Sequence, residues 1–351
     1  MVDFLSTILS EEKEILSTDE GNRILIMLHK LAASAGVFPK RFVPRDLVYD
    51  PVFVAMGGFA PVHGGRYRER NVCVKLLFEY VDEKVCLCLF LLAHLSHPNI
   101  LSFYGVAFGD NSRTRLISPW MTNGTLCTYS SKPSQTSRMP LIFDVIDGLL
   151  YLHNLNVVHS CLRGEDVLVS DEGRALIADF GLSHISTSTA MRKCASSLIG
   201  ASTCWAPPEF FDQDPDVSIR PAKAWDVWSF GCLCYEVLSR RPPFYQCRAD
   251  FHVMRALVSK EIPLRPGPGH SDWDEIGGGM WALMETCWSY APEARPTLRD
   301  FSGRFSRLGI PDDRPEVQDG PGSGLAQENP IELDFDRVEK ILLNVIKSQC
   351  P

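Results

Sequence analysis

A chain of 351 residues is long enough for one large two-lobed domain, or two ordinary ones, around a sizeable core. Its 45% hydrophobic and 22% charged residues are those of a globular protein, and a formal net charge of -8 argues against nucleic acid or an anionic membrane as the main partner. Twelve cysteines lie scattered, with Cys86/Cys88 and Cys232/Cys234 the close pairs and no C-x-x-C spacing. That excludes a zinc ribbon and a disulfide framework, and leaves reduced, buried thiols of a cytoplasmic protein, with the nucleus as the alternative.

The N-terminal MVDFLSTILSEEKE lacks the basic region and apolar core of a signal peptide. Residues 1–48 read as a helical extension, with Phe4, Leu5, Ile8 and Leu9 in one stripe and Ile24, Leu28 and Leu31 in another. Pro39 and Pro44 break that pattern. From 49 to about 120 the chain carries short β-branched runs such as VCVKLL (72–77) and a turn-rich GGFAPVHGG. These predict a small antiparallel sheet interrupted by one helix over 82–95. The longest nearly apolar run, Val85 to Leu95, falls there and is too short to span a bilayer.

Beyond residue 136 the periodicity is helical, as in SQTSRMPLIFDVIDGLLYLHNL, and continues to about 308. Residues 309–330, rich in Pro, Gly and acid, read as a flexible linker. The last segment, 331–351, reads as an amphipathic helix with Phe335, Val338, Ile341, Leu342, Val345 and Ile346 on one side. Both terminal extensions are expected to pack on the central body. There is no internal repeat.

Several short motifs follow one another in a telling order. VAMGGFAPVHGGRYRERNVCVKLL places a glycine turn between two strands and a lysine in the next, a layout whose backbone N–H groups and point charge suit phosphates. LSHPNI (95–100), SPWMTNGTL (118–126), VVHSCLRGEDVLV (157–169), ADFGLS (178–183), WAPPEFF (205–211), AWDVWSFGCLCYEVLSRRPPF (224–244) and METCWSYAPEARPTLRDF (284–301) come after it. Each signal is weak alone, and their order and spacing together are strong. Residues of about 50–308 resemble the protein kinases. The tone is that of the tyrosine-kinase-like Ser/Thr group, with phrases most similar to the expanded kinase families of mushroom-forming fungi.

The resemblance implies an α+β bilobal fold, with a small β-rich N-lobe (49–120) carrying one helix and a larger helical C-lobe (121–308). It implies ATP and Mg2+ as cofactors and a protein as partner or substrate, with neither nucleic acid nor a membrane span. Gly57 takes the middle glycine position of the phosphate loop, with Ala55 and Ala60 where the outer glycines belong. Val62, Lys75, the small gatekeeper Ser118 and the hinge Met121 fall at nucleotide-contacting positions. Asp166 and Asp179 fall at metal positions, and Phe180 and Gly181 complete the Asp-Phe-Gly motif. Arg163 replaces the usual catalytic-loop lysine. Asp226 matches the aspartate that braces the catalytic loop at His159, and Arg295 matches the arginine that pairs with Glu209 at the end of the activation segment.

Three departures bear on activity. Kinases place aspartate third in the His-Arg-Asp triplet to accept or orient the substrate hydroxyl proton; here the triplet is His159, Ser160, Cys161. A thiol, protonated at neutral pH, supplies neither that charge nor that acceptor. Ser160 removes the arginine that binds an activation-loop phosphate. Counting back from His97 puts Cys88 where the glutamate partner of Lys75 belongs, in an apolar helix that some other surface must cover.

Loss of a general base costs about 10²–10⁴-fold in rate. A phosphate misplaced by about an ångström costs on the order of a further hundredfold. The sequence therefore reads first as a pseudokinase, an interaction or allosteric module that keeps a nucleotide site. The alternative is a weakly active Ser/Thr kinase working through Lys75, Asp166 and Asp179 by positioning and charge.

Overall fold

The computed structural model describes residues 42–44, 46–56, 60–76, 97–108, 114–132, 138–155, 157–179, 203–211, 223–267 and 277–314, with Leu5, Ser6, Ile24, Met27, Leu28, Ala93 and Leu95 in isolation. The expected helix 82–95 with Cys88 (apart from Ala93 and Leu95), the bulk of the N-terminal extension, Gly57, Phe180, Gly181 and the segment 331–351 lie outside the described residues. The chain forms two compact units, one up to Met121 together with Asn154–Val157, the other over Thr122–His153 and Val158–Glu316. Among the described residues, no helix is long and apolar enough to cross a membrane.

The first unit is a five-stranded antiparallel sheet in the order β1-β2-β3-β5-β4. Its strands are β1 (Val48–Met56), β2 (Pro61–Tyr67), β3 (Arg70–Leu76), β4 (Gly105–Phe108) and β5 (Thr114–Pro119). Side chains alternate between faces along a strand. Val72 and Val74 of β3 thus share the core with Tyr67, Tyr104 and Ile117, which leaves Cys73 and Lys75 on the other face. β2 and β3 are joined by the two-residue loop Arg68-Glu69, with φ of 47° and 63°. Positive φ at both positions is the hairpin geometry that matches strand twist.

Part of the expected turn is in fact strand. His63, Gly64 and Gly65 lie inside β2, with His63 and Gly65 paired on both sides and Gly64 paired with β3. The reason is close approach: a Cβ on Gly65 would stand 2.8 Å from the Val48 carbonyl oxygen of β1.

The second unit is mainly helical: α1 (Leu126–Ser131), α2 (Met139–Asn154), α3 (Lys223–Ser239), α4 (Asp250–Val258), α5 (Gly278–Cys287) and α6 (Leu298–Ser306). The hairpin of β6 (Val167–Val169) and β7 (Ala175–Ile177) lies among them. Thr125 and Thr297 cap α1 and α6 by accepting the N–H groups of Thr128 and Asp300. Helix α3 is buried on nearly every side, and Trp228, Phe230 and Tyr235 are fully buried in it. Phe230 packs on Phe301 of α6, and Tyr235 on Trp281 and Trp288. A helix of that kind is the axis of a core.

Past α6 the chain is tied back. Arg314 donates to both carboxylate oxygens of buried Asp144 in α2, at 2.6 and 3.0 Å, and to the carbonyls of Pro140 and Gly173. Asp312 accepts from Arg314 and from Arg174, and its hydrogen bonds with Arg314 hold its pKa down at about 2.

Candidate active site

The site is built from the buried carboxylate of Asp226, in the first turn of α3 and 0% exposed. It accepts the backbone N–H of His159 at 2.8 Å, that of Ser160 at 2.7 Å and Nε2–H of His153 at 2.8 Å. Burial pushes the Asp226 carboxyl up, but hydrogen bonding and charge from His153 and His159 outweigh it, and the net shift is downward. The two adjacent backbone bonds hold Ser160 in the left-handed region, at φ 74°.

Burial lowers the pKa of the His159 ring. Its Nε2 lies 3.1 Å from the Ala178 carbonyl, which can only accept, so the proton is on Nε2. That bond joins the catalytic-loop region to the end of β7, directly before Asp179.

From Leu162 the chain enters a short 3-10 turn, Gly164–Asp166, closed by the Asp166 N–H on the Arg163 carbonyl at 2.9 Å. The Asp166 carbonyl then accepts the Ala178 N–H at 2.8 Å, which brings the backbones of Asp166 and Asp179 together. Asp166 is 3% exposed, with the Arg163 guanidinium 3.6 Å from its carboxylate and 3.2 Å from Glu165. Burial disfavours the charge on Arg163, yet Asp166 and Glu165 more than compensate, and its pKa is raised. Asp179 itself sits at φ 57°. Both residues carry a hard oxygen donor of the kind that suits Mg2+. Cys161 is partly exposed and carries a reduced thiol.

Glu209 and Arg295 meet in a two-point ion pair, at 2.6 and 2.7 Å. Arg295 also donates to the carbonyls of Ser289 and Ala224 and lies over the Trp228 ring. The pair anchors the segment that ends in Pro208–Phe210 to the start of α3.

In the first unit, Ala55, Val62 and Lys75 stand in register across β1, β2 and β3. Lys75 is 8% exposed, and Ala60 is buried at the start of β2. Ser118 of β5 is the partner of Cys73, and Met121 follows β5 where the first unit ends.

Sequence reasoning passed over three residues. Cys73, two positions before Lys75, shares its face of the sheet; the two-residue strand period was the available signal. His153 at the end of α2 gave no signal by spacing. Glu236, an acid inside an otherwise apolar helix, could have been found, because such groups are rarely buried without partners. Its carboxylate accepts from Gly164 N–H at 2.9 Å, Trp205 Nε1–H at 3.1 Å and the Cys127 thiol at 3.1 Å. Burial pushes the Glu236 carboxyl up against the pull of these donors.

Comparison with known proteins agrees with this geometry. The chain is 28% identical over 276 residues to the dual specificity protein kinase shkC of Dictyostelium discoideum, covering 75% of this chain and 51% of shkC. It is 26% identical over 265 residues to the mitogen-activated protein kinase kinase kinase dlk-1 of Caenorhabditis briggsae, covering 73% of this chain and 28% of dlk-1. It is 24% identical over 286 residues to zak-1 of Caenorhabditis elegans, named as the same class of kinase, covering 76% and 36%. The chain thus spans about half the length of shkC and less of the other two. Residues 53–305 match the family of protein tyrosine and serine/threonine kinases, and with more than half the chain inside that match it is a member of this family.

Proposed function

We propose that this kinase-fold protein, of the tyrosine-kinase-like kind, is a pseudokinase: it keeps a site for Mg-ATP and acts as an interaction module without transferring phosphate at a useful rate. The observation that carries the reading is Cys161, a thiol at the base position of a loop whose backbone is otherwise held by Asp226. Bound Mg-ATP would supply a phosphoryl group and its charge-neutralising metal. Lys75 would meet the phosphates, and Asp166 and Asp179 would hold the metal. Arg163 supplies positive charge at the usual lysine position, already shared with Asp166. Lacking a carboxylate at 161, the loop has no group there to take the proton from a substrate hydroxyl.

The competing reading, a weak protein Ser/Thr kinase, draws on the buried Lys75 and the adjoined Asp166 and Asp179. The deciding experiment is γ-phosphate transfer from Mg-ATP and Mn-ATP by wild type, Lys75→Met and Cys161→Asp. We expect no transfer from wild type, and gain of transfer in Cys161→Asp with nucleotide binding unchanged. Wild-type transfer that Lys75→Met abolishes would replace the pseudokinase with the weak kinase.

A further inference from the structure

Arg314, past the end of α6, is held more completely than a surface arginine needs to be. Every N–H donor of its guanidinium meets an acceptor. Nη1 donates to Asp144 and to the Gly173 carbonyl, at 2.6 and 2.8 Å. Nη2 donates to Asp144 and to the Pro140 carbonyl, both at 3.0 Å, and Nε donates to Asp312 at 2.8 Å. Arg174 lies 3.6 Å from Asp144 and 3.1 Å from Asp312 and closes the cluster. The receiving side is a socket: the Asp144 carboxylate, 4% exposed, between two carbonyls held by the start of α2 and by the β6–β7 turn. Acceptors in that pattern fit a planar guanidinium and do not fit an ammonium.

The socket is bonded to more than the tail. The same Asp144 carboxylate accepts the N–H of Ala175, the first residue of β7, at 2.9 Å. β7 is 3 residues long, so its far end is about 10 Å away. There the Ala178 N–H meets the Asp166 carbonyl at 2.8 Å, the Ala178 carbonyl accepts from His159, and Asp179 follows. The hairpin is also bonded to the segment after Met121. Val169 N–H donates to the Gly124 carbonyl at 3.0 Å, and Asn123 Nδ2 donates to the Ser170 carbonyl at 2.6 Å. One short hairpin therefore joins the socket, the segment after the hinge position and both metal positions. Coupling between separate sites can be carried by a contiguous bonded element of this kind.

We propose that this socket is a guanidinium-binding regulatory site, filled in cis by Arg314, whose occupancy sets the affinity of the chain for Mg-ATP. The control rests on the nucleotide site proposed above and deepens it. With the guanidinium seated, the hairpin turn is pinned to α2 through Gly173 and Asp144. With it withdrawn, Asp144 loses its closest counter-charge, the pin through Gly173 is gone, and the hairpin that leads to Asp166 and Asp179 is held less firmly. A buried carboxylate stripped of its partner is costly, so the seated state is the resting one.

The test is calorimetric titration of the full chain with Mg-ATP, well below the melting temperature, for wild type, Arg314→Ala and Arg314→Lys. Both variants should bind Mg-ATP at least about fivefold more weakly than wild type. Millimolar ethylguanidine should restore the affinity of Arg314→Ala, and ethylamine should not. Coupling is reciprocal, so Mg-ATP should tighten ethylguanidine binding to Arg314→Ala by the factor that ethylguanidine tightens Mg-ATP. A merely structural tie would lower the melting temperature of Arg314→Ala and leave its Mg-ATP affinity unchanged, which would overturn the proposal. So would a loss that ethylguanidine fails to restore, or wild-type affinity in Arg314→Lys. Wild type that binds no Mg-ATP would remove the nucleotide site and this control together. Equal binding by wild type and Arg314→Ala would remove the control alone. Phosphate transfer by wild type would sink the pseudokinase and leave the control standing.

Discussion

The base and the tip of the catalytic loop are held in different ways. At the base, His159 and Ser160 are fixed through their backbone N–H groups on one buried carboxylate, Asp226. At the tip, the Gly164 N–H is anchored on Glu236 and the Asp166 N–H and carbonyl close on Arg163 and Ala178, with side-chain charge added by Arg163 between Glu165 and Asp166. Backbone donors do not depend on side-chain identity. The loop can therefore follow its path with serine at 160 and cysteine at 161, as the proposed pseudokinase requires.

The sharpest way to break that contrast is Asp226→Ala. Three buried donors, from His153, His159 and Ser160, would lose their acceptor together. Removing one member of such a buried charged cluster costs about 3–5 kcal/mol. Urea unfolding of the full chain should show that loss, and a cost below about 1 kcal/mol would mean the base does not depend on this carboxylate. The pH dependence has a defined sign. Asp226 titrates below its ordinary value of 3.8 in the folded state, so its contribution is complete above that value and disappears as pH falls through the lower folded pKa. His159, lowered from 6.5 by burial, favours protonation of the unfolded chain, so wild-type stability already declines as pH falls below 6.5. The decline that sets in below pH 6.5 should persist in Asp226→Ala if that variant folds, and the acid limb below 3.8 should shrink.

A smaller effect is expected at the seam between base and tip. A Cβ on Gly164 would stand 2.5 Å from the Cys127 sulfur and 2.9 Å from Glu236 Oε2. Overpacking of that size costs about 1–3 kcal/mol. Gly164→Ala should therefore lower the urea midpoint, and Cys127→Ala in the same chain should return part of the loss. Additive effects in the double variant would show that the glycine is not kept for want of space.

Much of this architecture could be read from the sequence because the motifs that mark it are backbone-determining. The buried helix around Asp226, the Glu209–Arg295 pair and the strand lysine are each tied to one recurrent geometry. What the sequence leaves out, even where it signals a residue such as Cys73 or Glu236, is the set of partners that only the tertiary fold creates. Cys73 matters because β5 lays Ser118 beside it, and Glu236 because Gly164, Trp205 and Cys127 converge on it from three distant segments. The GGFAPVHGG stretch misled because glycine signals a turn by default, whereas Gly65 serves the close approach of β1 to β2.

The gentlest perturbation is Ser160→Gly, and it should be favourable. An L-residue in the left-handed region costs about 1–2 kcal/mol, and Ser160 is held there at φ 74° by its bond to Asp226. Its hydroxyl is buried and has no hydrogen-bond partner among the described residues, a further cost that glycine removes. Against this stands the extra freedom of glycine in the unfolded chain, about 0.5–1 kcal/mol. The balance is a gain of up to about 1 kcal/mol, read as a raised urea midpoint with unchanged nucleotide affinity. A destabilised Ser160→Gly would mean that the serine side chain itself supports the base of the loop, and the reading of a base held by backbone donors alone would fail at its first residue.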